Sequence, residues 1–395
     1  MHPNPTGTPR PVPTPTHRQR PIPCASTTPP HHRLACEQIA SDTGRWNWVV
    51  VETLTRTDQY TTILDGLNPR PFSRLNHSSI ARNGVAARLL CPLIRQCATS
   101  GATQSKSFTM PDNRVIRMLA VPVLGISQHV YAVSIWAGGY DDPLPRPQVV
   151  GQVEWNATGL MTASPQAQLL LRLSDHVGRQ GCTLPEMFSS FDHWNDRANF
   201  LALFNHSTPS DHWIGSATKT FTDGTQHRIH IAARGIGTGT NRTIRAIVCD
   251  ITGSPTTAHS DLCSIAIRHM PVPPGHALAI VDLNTGIVHE WLTAEHSPLA
   301  GWRHHQPEFD HDSALRVATT CIELAKGVRR TADTTTRVRF HPNDEWLLLH
   351  ARWTRISNGE RPQALIDVTP ATPIPAAVTN CRECEAMANR RTPRR

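Results

Sequence analysis

Thr335-Thr-Arg-Val-Arg-Phe340, Glu345-Trp-Leu-Leu-Leu-His-Ala-Arg-Trp-Thr-Arg-Ile356 and Pro362-Gln-Ala-Leu-Ile-Asp-Val-Thr369 are three apolar, β-branched runs. His341-Pro-Asn-Asp344 and Ser357-Asn-Gly-Glu360 separate them. Both separators are turn signals, and Asn-Gly between apolar runs favours a tight hairpin because its residues tolerate positive φ. The stretch therefore predicts a three-strand antiparallel meander. Alternation puts Trp346, Leu348 and His350 on one face, and Leu347, Leu349 and Ala351 on the other. Apolar residues on both faces predict one face for a core or pocket and the other for a partner.

Looser copies of the meander lie upstream. One is Ala217-Thr-Lys-Thr-Phe-Thr222, Gln226-His-Arg-Ile-His-Ile231 and Arg245-Ala-Ile-Val-Cys-Asp-Ile-Thr252, with turns at Asp223-Gly224 and across 235–241. A third copy spans 105–136, with a turn at Pro111-Asp-Asn113. Each copy is preceded by one or two strands and by helical segments: first Trp46-Asn-Trp-Val-Val-Val-Glu-Thr-Leu54, then a strand opening at Val149, then a hairpin opening at Ala277. The repeat is about 100 residues long. That period means tandem domains, since solenoid repeats run to about 20–50 residues.

The helical expectations are specific. Val85, Leu89, Leu93, Ile94 and Cys97 fall on one helical face, with a break or kink at Pro92. Thr183 caps a helix with Pro185 in its first turn. Short helices are expected over 192–205 and 256–270. The clearest helix runs over 313–326, capped by Asp310 or Asp312 and ended by Gly327, with Leu315, Ala318, Ile322 and Ala325 as its core stripe.

The resulting division is 1–44 as a Pro-rich disordered tail, 45–142, 148–254 and 276–370 as three folded units, 255–275 as a connector, and 371–395 as an Arg-rich disordered tail. The tails carry nine arginines against four acids, so they supply +5 of the net +8. The folded middle is then near +3, ordinary for a soluble domain, which argues against a nucleic-acid-binding core. No apolar run reaches the roughly 18 residues of a spanning helix, and the N-terminus lacks a signal-peptide core. Ten cysteines without a regular framework fit reduced, buried thiols. The expected setting is the cytoplasm.

Strand, helices and three antiparallel strands follow one another as in PAS domains and, more loosely, GAF domains. Asp250-Ile-Thr252 and Asp367-Val-Thr369 resemble the Asp-x-Thr ending of the last PAS strand. Thr222-Asp-Gly-Thr225 is similar to a PAS hairpin turn, and Phe309-Asp-His-Asp312 to the acidic segment before a PAS helix. The first unit ends instead in Ser134-Ile-Trp-Ala-Gly138. With Trp48-Val-Val-Val-Glu-Thr-Leu54, the whole arrangement resembles a mycobacterial-type actinobacterial family of triple sensor-domain proteins. The resemblance implies an α+β chain of three PAS/GAF-like domains, each an antiparallel sheet with short helices on one face. It implies a sensor or adaptor and carries over no catalytic residues.

Other constellations favour plain structural roles. Gly235-Ile-Gly-Thr-Gly239 precedes a strand rather than a helix, so it is a hairpin turn and not a phosphate loop. His304, His305 and His311 with Asp310 and Asp312 match no metal-ligand spacing. Cys381 and Cys384 form a lone Cys-x-x-Cys. Asp192-His193, Asp211-His212 and Asp261-x-Cys263 lack a nucleophile motif. Trp291, Trp302, Trp346 and Trp353 cluster in the last unit, where core packing is favoured, although a sheet-and-helix cup can hold an apolar ligand. The expected protein is therefore a non-enzymatic sensor with no catalytic or metal site. A small molecule or a partner would bias it, its cofactor is not specified, and a ligand-free scaffold and an enzyme with a His-rich site are the alternatives. No effector segment follows the last unit, so output would be a protein contact in trans. Asp250, Thr252, Asp367 and Thr369 would couple the domains.

Overall fold

The β-branched runs pair into sheets because their alternating residues can bury one face. In the computed structural model, residues 48–371 are described apart from 55–59, 83, 111–112, 174–180, 206–210, 255–268, 294–296 and 358. The tails, the expected helix over 256–270 with Asp261 and Cys263, and Cys381 and Cys384 lie outside the described residues.

Unit 1 comprises β1 (Val49–Glu52), β2 (Thr61–Asp65), β3 (Asn68–Arg74), α1 (Gly84–Ser100), β4 (Gln104–Thr109), β5 (Val115–Leu124) and β6 (Val130–Gly139). Unit 2 comprises β7 (Val150–Trp155), β8 (Met161–Ala163), α2 (Pro165–Leu171), α3 (Leu184–Ser189), β9 (His193–Trp194), α4 (Arg197–Leu201), β10 (His212–Thr220), β11 (Gln226–Ile236) and β12 (Thr243–Asp250). Unit 3 comprises β13 (Ala277–Asp282), β14 (Ile287–Thr293), α5 (Gly301–His304), β15 (Glu308–Phe309), α6 (His311–Ala325), β16 (Thr331–Arg339), β17 (Leu347–Arg355) and β18 (Gln363–Pro370).

The units form three antiparallel six-stranded sheets in tandem, an α+β architecture that is mostly sheet. Units 2 and 3 share one strand order, β8-β7-β12-β11-β10-β9 and β14-β13-β18-β17-β16-β15. Unit 1 differs: its order is β3-β2-β1-β6-β5-β4, and its first three strands form a second meander. The expected meander occurs in every unit, as β4–β6, β10–β12 and β16–β18.

Four local expectations are corrected. The helix is not divided in two at Pro92: it runs unbroken over Gly84–Ser100, with Pro92 on its exposed side, where water can satisfy the freed carbonyl. The 357–360 connection is wider than a two-residue turn: Ile356 N–H donates to Gln363 O at 2.8 Å, and the Gln363 amide donates to Ser357 Oγ at 2.9 Å. The helix expected over 192–205 is cut back to α4 and a following single turn, because His193 and Trp194 pair with β10 as β9; a two-residue strand, like β15, is too short to carry an alternation signal. Finally, α6 is capped by Asp310, whose Oδ1 accepts from Ser313 N–H at 2.7 Å, but it is turned on its axis. Leu315 and Ile322 are 57% and 52% exposed, while Ser313, Thr320, Cys321 and Leu324 are buried.

Sheets 1 and 2 pack face to face. Val50, Leu64 and Ala132 of unit 1 meet Val150, Ile247 and Ile251 of unit 2 in one apolar layer. Glu52, whose side chain is fully buried, accepts from Arg234 at 2.7 and 3.0 Å and from Thr61 Oγ1 at 2.8 Å. Tyr131 donates to Glu154 at 2.5 Å, and Arg245 reaches the same carboxylate at 2.9 Å. Burial and the adjoining Glu154 push the Tyr131 phenol up to about 12.

Candidate functional site

The inward residues of β16, β17 and β18 follow from alternation: Thr336; Leu349, Ala351 and Trp353; Ile366 and Val368. They form the floor of a cavity of about 580 Å³ in unit 3. That volume lies within the roughly 300–1,000 Å³ of small-molecule sites. Val281, Val288 and Trp291 from β13 and β14 make one side, and Trp302, Phe309 and Val317 the other. Trp291 and Trp302 stack with ring centroids 4.6 Å apart and planes 21° from parallel. Trp291 Nε1–H donates to Leu299 O, and Trp353 Nε1–H to Thr334 Oγ1, both at 2.9 Å. Trp346, grouped with these by sequence, lies elsewhere, beneath the Arg337 and Arg339 guanidiniums at 5.8 and 4.7 Å.

The remaining wall comes from unit 2. Ala157, Thr158, Gly159 and Leu160, with Thr183, Leu184 and Pro185 at the start of α3, face the same space. Gly159, at φ +86°, permits the approach: a Cβ there would lie 3.1 Å from Leu184 and 3.5 Å from Ile287. Leu184 and Ile287 belong to the continuous core of unit 2 and also line the cavity of unit 3. At the mouth, Thr158 Oγ1 donates to Gln306 Oε1 and Gln306 Nε2 donates to Thr158 O, both at 2.9 Å. Thr183 caps α3 and donates its hydroxyl to Arg303 O. Deeper in the joint, Arg197 pairs with Glu290 and lies 4.3 Å over the Phe188 ring. His289 packs edge-on against Phe188, buried, with neither ring nitrogen bonded among the described residues. Burial, and then the Arg197 guanidinium, hold its pKa well below the usual value, so it is neutral.

The expected coupling residues sit at strand ends. Asp250 Oδ1 accepts from Thr252 N–H at 2.8 Å, and Thr252 Oγ1 accepts from Arg228 N–H at 3.1 Å, so this motif ties β12 to β11. Asp367 is 2.7 Å from His276 Nδ1, and Thr369 lies opposite His350. None of the four lines the cavity. The histidine cluster is dispersed: His304 approaches Glu186 at 3.3 Å, His305 meets the His341 ring at 4.7 Å, and Asp310 caps α6. Among the described residues, no group of three His, Cys, Asp or Glu is placed to hold a metal. Asp192 binds the Thr220 amide, and His212 packs on Phe72 at 5.2 Å. Gly235-Ile-Gly-Thr-Gly239 turns β11 into β12. The sequence flagged the tryptophans but not the shared wall, because Leu184 and Ile287 are about 100 residues apart and follow no motif.

Residues 47–146 match the family described as Rv3651-like, N-terminal, a span that includes all of sheet 1. No curated protein matches the chain. The crystal structure of an uncharacterised protein from Mycobacterium tuberculosis is similar at TM-score 0.63 and 20% identity, covering 82% of this chain and 96% of that one. At that identity the likeness concerns the fold, and it extends over most of the chain. An RNA-binding light-oxygen-voltage receptor matches at TM-score 0.21 and 8% identity, covering 61% of this chain and 99% of its own. The periplasmic sensory domain of the Campylobacter jejuni chemoreceptor Tlp1 matches at 0.15 and 7%, covering 58% and 81%. Both fall too low to bear on the fold. Among the described residues, no helix is long and apolar enough to cross a membrane.

Proposed function

We propose that the chain is a cytoplasmic, non-enzymatic sensor or adaptor of the PAS/GAF type, in which a small molecule held in the unit-3 cavity sets how units 2 and 3 pack. The observation that carries this reading is the shared wall: Leu184 and Ile287 belong at once to the core of unit 2 and to the lining of the cavity. A ligand filling that space presses on β14 and, through it, on α3. Its affinity then differs between two packings of the units, which is the requirement for a ligand to shift a conformational equilibrium. Output is contact with another protein, a reading supported by the exposed Leu315 and Ile322 on α6. Cys97, Cys182, Cys249 and Cys321 are buried free thiols, which fits a reducing compartment. The filled core of unit 2 favours a structural role for that unit.

The test pairs mass spectrometry with hydrogen exchange. A compound released on denaturing the purified chain should be lost in Ala351→Trp, whose indole occupies the cavity. The same variant should alter exchange in 184–189 and 287–293 while leaving sheet 1 unchanged. A chain that carries nothing, with α3 exchange indifferent to Ala351→Trp, would refute the reading.

A further inference from the structure

We infer that the ligand of the unit-3 cavity is an uncharged, flat aromatic molecule with one hydrogen-bonding group, its ring against the Trp302–Trp291 stack and its polar group at Thr336. This rests on the cavity being a ligand site, as proposed above, and adds the class of ligand.

Three features of the wall define that class. The first is charge. The ionised group of the lining, Glu308, lies at the rim and is held by Arg339 at 2.7 and 2.8 Å. The interior is built from Val281, Val288, Leu349, Ala351, Ile366 and Val368. A charged ligand would lose its hydration there without gaining a counter-charge, a large penalty. The second is shape. Trp291 and Trp302 already lie nearly parallel, and Phe309 meets Trp302 edge-on at 5.8 Å. A flat ring can extend this array by offset or edge contact, whereas a flexible chain gains contact area alone and loses rotamer freedom.

The third feature is hydrogen bonding. Of the four hydroxyls in the wall, three are engaged: Thr158 with Gln306, Thr183 with Arg303 O, and Thr285 with Asp282. The fourth, on Thr336, is 4% exposed and has no hydrogen-bond partner among the described residues. That hydroxyl opens on the cavity, where water pairs it until a ligand enters, so a ligand that supplies a partner gains over one that only displaces the water.

The test uses the full chain and three probes of one ring system at pH 7: 2-naphthol, naphthalene and 2-naphthoate, with 1-decanol as a linear neutral control. Calorimetry should rank 2-naphthol first and naphthalene roughly tenfold weaker, the value of one neutral hydrogen bond. Naphthoate and 1-decanol should be weaker than naphthalene. Thr336→Val, which keeps the side-chain shape, should bring 2-naphthol down to the level of naphthalene and leave naphthalene unchanged. Ala351→Trp should abolish binding of both. Naphthoate or 1-decanol matching 2-naphthol would overturn the ligand class while the cavity still binds. A naphthol preference that survives Thr336→Val, or binding that survives Ala351→Trp, would also overturn it. Failure of every probe, charged or neutral, flat or linear, would count against the cavity as a ligand site at all.

Discussion

Units 2 and 3 have the same strand order, yet one core is full and the other is open. In unit 2 the segment between β9 and β10 buries Phe200, Leu201, Leu203 and Phe204 completely. Phe188 from α3 and Trp194 and Trp213 from the sheet close around Phe200 at 5.1 to 5.9 Å. In unit 3 the corresponding segment is α6, which turns Ser313, Thr320, Cys321 and Leu324 inward and leaves Leu315 and Ile322 in solvent. Small and polar groups thus stand where unit 2 has rings. One backbone plan yields a packed support or a cavity, depending on which face its connecting helix presents.

The largest effects should come from removing what fills unit 2. Phe200→Ala is expected to cost about 3–5 kcal/mol, the range for deleting a fully buried ring. Leu349→Ala, in the cavity wall, should cost about 2 kcal/mol, since its surroundings already border empty space. Urea unfolding followed by hydrogen exchange in each sheet separates the two, and equal costs would mean that unit 3 is as tightly packed as unit 2. Adding volume should invert the order. Ala246→Leu in unit 2 overpacks a closed core, at about 1–3 kcal/mol. Ala351→Leu in unit 3 should be neutral or stabilising.

A second contrast lies in the joints on either side of unit 2, each of which buries a histidine. His230, on the β11 face toward unit 1, has its pKa lowered to about 4 by burial, against the backbone of Ile63 and Gly215. His289 lies in the joint to unit 3, where burial and the Arg197 guanidinium hold its pKa well below the usual value. Both are neutral in the folded chain, whereas the unfolded chain takes up protons below about pH 6.5. The unfolded state then binds more protons, so stability is intact at pH 7 and declines as pH falls, by about 1.4 kcal/mol per unit for each histidine. For His230 the window closes near pH 4. His289→Leu should flatten the acid slope of the unit 2–unit 3 joint, read by exchange in 184–189, and His230→Leu that of the sheet 1–sheet 2 contact. A slope unchanged in both variants would show that neither ring controls acid unfolding.

Most of the sheet architecture was legible because alternation and turn residues act locally. The β16–β18 meander and its inward face, Leu349 and Ala351, follow from period two alone. The α6 stripe misled for a physical reason. Its apolar residues at Leu315, Ala318 and Ile322 are correctly spaced for a helix face, but sheet 3 receives the face holding Ser313, Val317 and Cys321. Periodicity identifies a face and does not say which surface it meets. The same limit hid the cavity, which depends on that rotation and on Leu184 and Ile287 from different units.

The smallest expected effect concerns the two Asp-x-Thr endings, which bear on how units 2 and 3 are coupled. Asp250 and Thr252 hold β12 against the start of β11, through bonds of 2.8 and 3.1 Å. The wall between the units is made elsewhere, by α3 and β14. Replacing both residues by Ala removes about two partly exposed hydrogen bonds, each worth about 1 kcal/mol. Exchange should therefore rise at Arg228 and across 250–254. If the shared wall carries the coupling, 184–189 and 287–293 should respond less to this double variant than to Ala351→Trp. A larger response there to the double variant would move the coupling from the wall to the strand end. The matching change at Asp367 and Thr369 should then affect only β18 and its contact with His276, since that strand end faces no further sheet among the described residues.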